Sequence, residues 1–174
     1  MAKSAISAIL DQFMEEGIKL TPIGATLLGV PGLDDQLDDF SMEGHKKREE
    51  LTRKTLDALR TAAPENEYDR IARDVANERL SSEMRLSESH EARILFNLIS
   101  SPVTSIRQVF EMMPKTDESR GNVTKRMASI GEALAGWKST LEYTASLGKS
   151  NSRRQVLATA QQLETFSHGA FSAV

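Results

Sequence analysis

Residues 119–147, SRGNVTKRMASIGEALAGWKSTLEYTASL, carry the decisive pattern. Val123, Met127, Ile130, Leu134, Trp137 and Leu141 step by 4, 3, 4, 3 and 4, one apolar stripe on an α-helix. Thr116 or Ser119 is the expected cap and Gly148 the stop. About 28 residues at ~1.5 Å each predict a single rod of roughly 42 Å. Trp137, in mid-stripe, is expected to be buried.

The same periodicity runs outward in both directions. Ile6, Ile9, Leu10 and Phe13 predict a first helix over residues 3–20, closed by Thr21-Pro22, because the residue before proline is pushed out of the α region. Ser41 is an expected N-cap for a helix through Leu51, Thr55 and Leu59 to about Ala63. Pro64 suits the first position of the next helix. That helix is read along Tyr68, Ile71, Ala72, Val75, Arg79, Ser82 and Leu86 to about Glu91. Ser101-Pro102 repeats the cap-then-proline signal before Val103, Ile106, Phe110 and Met113, and Pro114 stops that helix. A last helix starts at Ser152. No stretch alternates at period 2, so the expected fold is all-α: a single domain over 1–174, an array of about six helices without a β-sheet. Residues 22–40, PIGATLLGVPGLDDQLDDF, read as a long apolar connection packed against something.

Composition narrows the function classes. The 174 residues suffice for one domain with a proper core. Cysteine is absent, which excludes disulfides, thiolate metal sites and cysteine nucleophiles. The 22 basic and 25 acidic residues leave a net charge of −3, without the basic footprint of a nucleic-acid binder. Asp11, Glu15 and Glu16 interrupt the start of the chain, unlike a signal peptide, and no apolar run reaches the ~20 residues of a membrane span. A cytoplasmic protein is expected. Residues 1–40 hold seven acids and two bases, and residues 114–174 eight bases and five acids, an asymmetry that favours docking of the two ends.

Searched for chemistry, the sequence assigns no catalytic, cofactor-binding or metal residue. His45, His90 and His168 are isolated. His90-Glu91-Ala92-Arg93-Ile94 opens like H-E-x-x-H, but Ile94 stands where the second ligand belongs, so His90 reads as a surface residue at a helix end. Asp34, Asp35, Asp38 and Asp39 fail the EF-hand spacing, with Asp39 at the glycine position and His45 at position 12, and read as a solvated acidic loop. Lys46-Lys47-Arg48-Glu49-Glu50 reads as a mixed-charge helix face. Arg153 and Arg154 read as salt-bridge partners of the acidic half, and Met112, Met113 and Trp137 as core.

Four short motifs occur in order: Ala25–Gly29 (ATLLG), Leu33–Ser41 (LDDQLDDFS), Ser101–Pro114 (SPVTSIRQVFEMMP) and Arg153–Val156 (RRQV). The succession resembles the N-terminal part of a bacterial family called domain of unknown function 885 (DUF885). The resemblance implies a longer protein similar to helical zinc-dependent peptidases, with the metal motif towards the C-terminus. Zinc would then belong to a full-length relative, and no cofactor is expected in this chain. The implied role is a non-catalytic wall of a substrate cleft, partnered by the missing catalytic region. The alternative is a self-sufficient helical interaction protein whose partner is a second copy. Phe166, Phe171 and Val174, with Ile23, Leu27, Leu28 and Val30, are expected to form the apolar surface so covered.

Overall fold

The computed structural model describes residues 3–94, 96–97, 99–117 and 119–170. The chain is all-α: α1 (Ala5–Leu20), α2 (Pro22–Leu27), α3 (Met42–Thr61), α4 (Glu67–Glu88), α5 (Pro102–Met112), α6 (Arg120–Ala128), α7 (Ile130–Ser146) and α8 (Arg153–Thr165). A 3₁₀ turn spans Glu91–Ile94 and a π turn Phe166–Ala170. No strand occurs among the described residues. Phe171 and Val174 lie outside them.

Side-chain caps start most of these helices. Ser4, Ser41, Asn66, Ser101 and Ser152 each accept the backbone N–H three residues on, an arrangement worth ~1 kcal/mol apiece. The Asn66 cap displaces the expected start at Pro64. Asp69 reaches back to the Glu65 N–H at 3.1 Å while its own N–H is held by Asn66 at 2.9 Å. This reciprocal pair fixes the first turn beyond the proline.

Two apolar clusters organise the packing. Ile6, Leu59 and Leu80 join α1, α3 and α4, flanked by Leu10, Phe13, Ala72 and Ala76. Ile23, Ile106, Val109, Phe110, Met113 and Ala133 join α2, α5 and α7. The region 22–40 is thus partly helical, and Ile23 and Ala25 are buried. Thr140 of α7 donates to the carbonyl of Phe40, next to the Ser41 cap of α3, at 2.8 Å. There α7 comes so close that a Cβ on Gly136 would stand 3.2 Å from the Ser41 nitrogen. Gly44 is tighter still: a Cβ there would lie 2.2 Å from the Asp39 carbonyl oxygen.

The expected single helix over 119–147 is two helices meeting at Ser129. The Ser129 hydroxyl donates back to the Arg126 carbonyl at 2.9 Å, which competes with the helical ladder. Trp137 is buried at 5% exposure and stacks on Phe96 with centroids 5.0 Å apart. The buried face, however, runs Arg126, Ala133, Trp137, Thr140 and Thr144. That is the same 3–4 stepping displaced by about one position from the apolar stripe, so Met127 is exposed.

The α4 stripe is likewise misassigned. Tyr68, Ile71, Val75 and Leu86 are exposed, Tyr68 at 80%. The covered side consists of Asp69, Ala72, Ala76 and Leu80; small residues let α4 approach α1 and α3. Met112 is also exposed, whereas Met113 is buried.

Candidate functional site

Polar side chains gather in two places, which the sequence reads as a solvated acidic loop and a mixed-charge helix face; in the first, Asp34, Asp35 and Asp38 are half-buried and Asp39 is exposed. The first is the acidic connection after α2. Asp38 accepts the Ile23 N–H at 2.8 Å and so caps α2, because Thr21 turns its own hydroxyl to the Gly17 carbonyl. Thr26 donates to Asp34 at 2.8 Å, Asp39 accepts the Ser41 N–H at 2.9 Å, and Asp35 pairs with Lys125 at 3.3 Å.

Arg126 closes the arrangement. Its side chain has no solvent exposure. Nε donates to the Gln36 carbonyl at 2.8 Å, and Nη2 to the Leu33 carbonyl and the Thr26 hydroxyl, each at 2.9 Å. Burial raises the Asp38 carboxyl above its ordinary range, against the Ile23 N–H and the charges of Arg48 and Arg126. Burial lowers the Arg126 guanidinium, opposed by Asp34, Asp35 and Asp38. The expected docking of the basic C-terminal half on the acidic N-terminal half therefore runs through Lys125 and Arg126. Arg153 and Arg154 make no ion pair among the described residues.

The second cluster lies where α3, the end of α4 and the 3₁₀ turn meet. Glu49 accepts from the Arg93 guanidinium and from the Ser87 hydroxyl. Arg93, 7% exposed, also donates to Nδ1 of His90, which places the neutral ring's proton on Nε2. His90 adopts φ 62°, the left-handed residue that ends α4, and meets Tyr143 edge-on at 6.2 Å. Burial acts to raise the Glu49 carboxyl, but Ser87 and Arg93 together hold it below its ordinary value. Burial lowers His45 to about 4, assisted by the charges of Arg48 and Arg93 and opposed by Glu49 and Asp39.

Glu49, Ser87, His90 and Arg93 fasten the end of α4 to α3. They could orient a proton, yet the carboxylate is already committed to two donors. His45 and His90, isolated in sequence, both face this cluster, while His168 sits in the π turn after α8. Zinc does not fit here: Nδ1 of His90 is taken by Arg93, a buried cation that would repel the ion. Among the described residues no three His, Cys, Asp or Glu side chains are placed to hold a metal.

The sequence assigns no role to Arg126, Ser87 or Arg93 and reads Glu49 only as part of a mixed-charge helix face. Arg126 carried a usable signal, because it precedes Ile130, Ala133 and Trp137 at 4-3-4 spacing. Glu49 and Arg93 are 44 positions apart and have no local signature.

A family model described as bacterial protein of unknown function (DUF885) matches residues 22–173. The match begins at the proline that opens α2 and takes in both polar clusters and all four sequence motifs. No curated protein matches the chain.

Proposed function

The chain belongs to the DUF885 family of bacterial proteins, and on that premise we propose that it forms a non-catalytic helical wall of a metal-dependent, peptidase-like hydrolase. The observation that carries the reading is the outer face of α4. Tyr68, Ile71 and Val75 lie exposed along one side of a 22-residue helix about 33 Å long, with Leu86 exposed farther along the same side beyond Arg79 and Ser82. Monomeric proteins seldom leave extended apolar faces bare. In this reading the metal-bearing region covers that face, and α4 and its neighbours bound the cleft, limiting which substrates enter and excluding water. Of the loop residues expected to form the covered surface, Leu27, Leu28 and Val30 are exposed, whereas Ile23 is buried in the core.

A reconstitution experiment tests the proposal. The metal-bearing portion of a longer family protein, produced without its counterpart of residues 22–173, should bind this chain in trans and change its KM for peptides more than its kcat. Ile71→Asp with Val75→Asp should abolish that binding and leave the chain folded. Turnover by the chain alone with one equivalent of zinc would overturn the reading. So would sedimentation as a stable dimer that the same double substitution converts to monomer; that result would make the chain a self-associating interaction protein.

A further inference from the structure

Among the described residues of α8, only Thr159 is buried, while Val156 and Leu157 stand exposed. A helix that covers a threonine and bares its aliphatic side chains inverts the usual preference. The Thr159 hydroxyl has no hydrogen-bond partner among the described residues. A helical threonine ordinarily returns its proton to the carbonyl four residues back, as Thr144 does to Thr140 and Thr165 to Gln161, each at 3.0 Å. Thr159 does not, and buried hydroxyls without a partner are rare enough to require a reason.

Thr159 lines a groove of about 690 Å³ between α8 and residues 97–99, together with Asn97, Ile99, Ser152 and Arg154; the volume lies within the ~300–1,000 Å³ common to small-molecule sites. The other polar groups there are donors. The Ser152 hydroxyl accepts the Gln155 N–H at 3.3 Å, which leaves the N–H groups of Arg153 and Arg154 without an acceptor inside the helix. Asn97 commits its side-chain oxygen to the Ile99 and Ser100 N–H groups at 2.9 and 2.7 Å, so Nδ2 remains to donate. The first turn of α8 carries two arginines and no acid, where the helix dipole disfavours cations and favours an anion. Both segments that form the groove are acid-free over a wide margin: residues 92–110 and 143–163 contain no aspartate or glutamate. Arg154 therefore has no acid in its own neighbourhood of the chain to neutralise it.

We infer that the α8 groove binds a small phosphate monoester, whose phosphoryl group takes the Arg154 guanidinium, the open N–H groups of α8, Asn97 Nδ2 and the Thr159 hydroxyl. A tetrahedral dianion accepts bonds from several directions at once, and a guanidinium can meet two of its oxygens together; a helix N-terminus supplies the remaining field. Ile99, 83% exposed at the edge, offers apolar contact to the organic part of the ester. The assignment is independent of the wall reading, since no residue of α4 lines this groove and binding needs no further region.

Titration of the ¹⁵N-labelled chain with phenyl phosphate at constant ionic strength tests it. The amide signals of Arg153 to Gln155 and the Asn97 side-chain NH₂ should shift saturably, while those of α4 stay unmoved. Arg154→Gln should weaken binding about ten-fold, the loss of a charge-assisted contact. Thr159→Val keeps the shape of the side chain and removes the hydroxyl, and should weaken binding about five-fold. Lys54→Gln, on α3 and paired with Glu16, should leave it unchanged, which separates a site from general attraction to positive charge. Benzoate, which presents a planar monoanion on the same ring, should bind at least ten-fold more weakly than phenyl phosphate. Benzoate binding as tightly as the ester, unchanged affinity in Thr159→Val, an equal loss in Lys54→Gln and Arg154→Gln, or no saturable shift would each overturn the inference.

Discussion

Replacing Arg126 with methionine isolates the contribution of its hydrogen bonds, because methionine restores much of the side-chain volume and none of the donors. The substitution strips three bonds, two of them from the backbone carbonyls of Leu33 and Gln36. A buried acceptor left without a donor costs ~1–3 kcal/mol. Asp38 also loses a nearby countercharge while its carboxyl stays buried. Removing the guanidinium recovers its own desolvation cost, so the expected net loss is about 3 kcal/mol, a large fraction of the ~5–15 kcal/mol that holds a domain together. Arg126→Lys keeps the charge but not the planar fork and should lose about half as much. Guanidinium unfolding followed by Trp137 fluorescence measures both, since Trp137 is the only tryptophan and is buried. Limited proteolysis should also cut faster between Leu28 and Leu37 in the methionine variant. A loss below about 1 kcal/mol with unchanged proteolysis would show that the loop holds its shape without the clamp.

Three further outcomes follow from the same geometry. Gly44→Ala should destabilise by about 2 kcal/mol through overpacking against the Asp39 carbonyl, whereas Gly131→Ala, with nothing within 4 Å of the added Cβ, should stabilise by about 0.5–1 kcal/mol; denaturant midpoints compare them. Because His45 falls from 6.5 to about 4 in the fold, its neutral form contributes fully above pH ~6.5, and that contribution is lost as pH falls through about 4. At about 1.4 kcal/mol per pH unit, reduced for partial solvent exposure, this amounts to about 1–2 kcal/mol. His45→Gln should flatten the stability profile between those values while the acid losses from Asp35, Asp39 and Glu49, all held below their ordinary range, persist. Arg93→Gln should leave the half-buried Glu49 without its cation, with Ser87 as its remaining donor, costing about 1–2 kcal/mol after solvent screening, read as faster hydrogen exchange at the end of α4.

The amino-acid sequence by itself determined the helical class, most helix boundaries, the caps at Ser41 and Ser101 and the start of the last helix at Ser152. These depend on spacing within a few residues and on local hydrogen bonds, whose partners lie in the same short segment and require no distant part of the chain. It also carried the four motifs that the family match encompasses. Which face of each helix is covered was decided by tertiary packing. On α4, periodicity marks Tyr68, Ile71, Ala72, Val75, Arg79, Ser82 and Leu86 as one stripe, yet α1 and α3 pack on the side of Ala72, Ala76 and Leu80, which shares only Ala72 with that stripe and whose small side chains permit close approach. On α6 and α7, the clamp on Arg126 and the closeness of Gly136 to Ser41 turn the helices so that Thr140 and Thr144 face inward. Arg126 is buried only because two carbonyls 90 and 93 positions away are free to receive it, and Glu49 is held by Arg93 44 positions away. A local pattern records the propensity to form a helix; the partner of a buried charge is set by long-range contacts, which appear when the chain has folded.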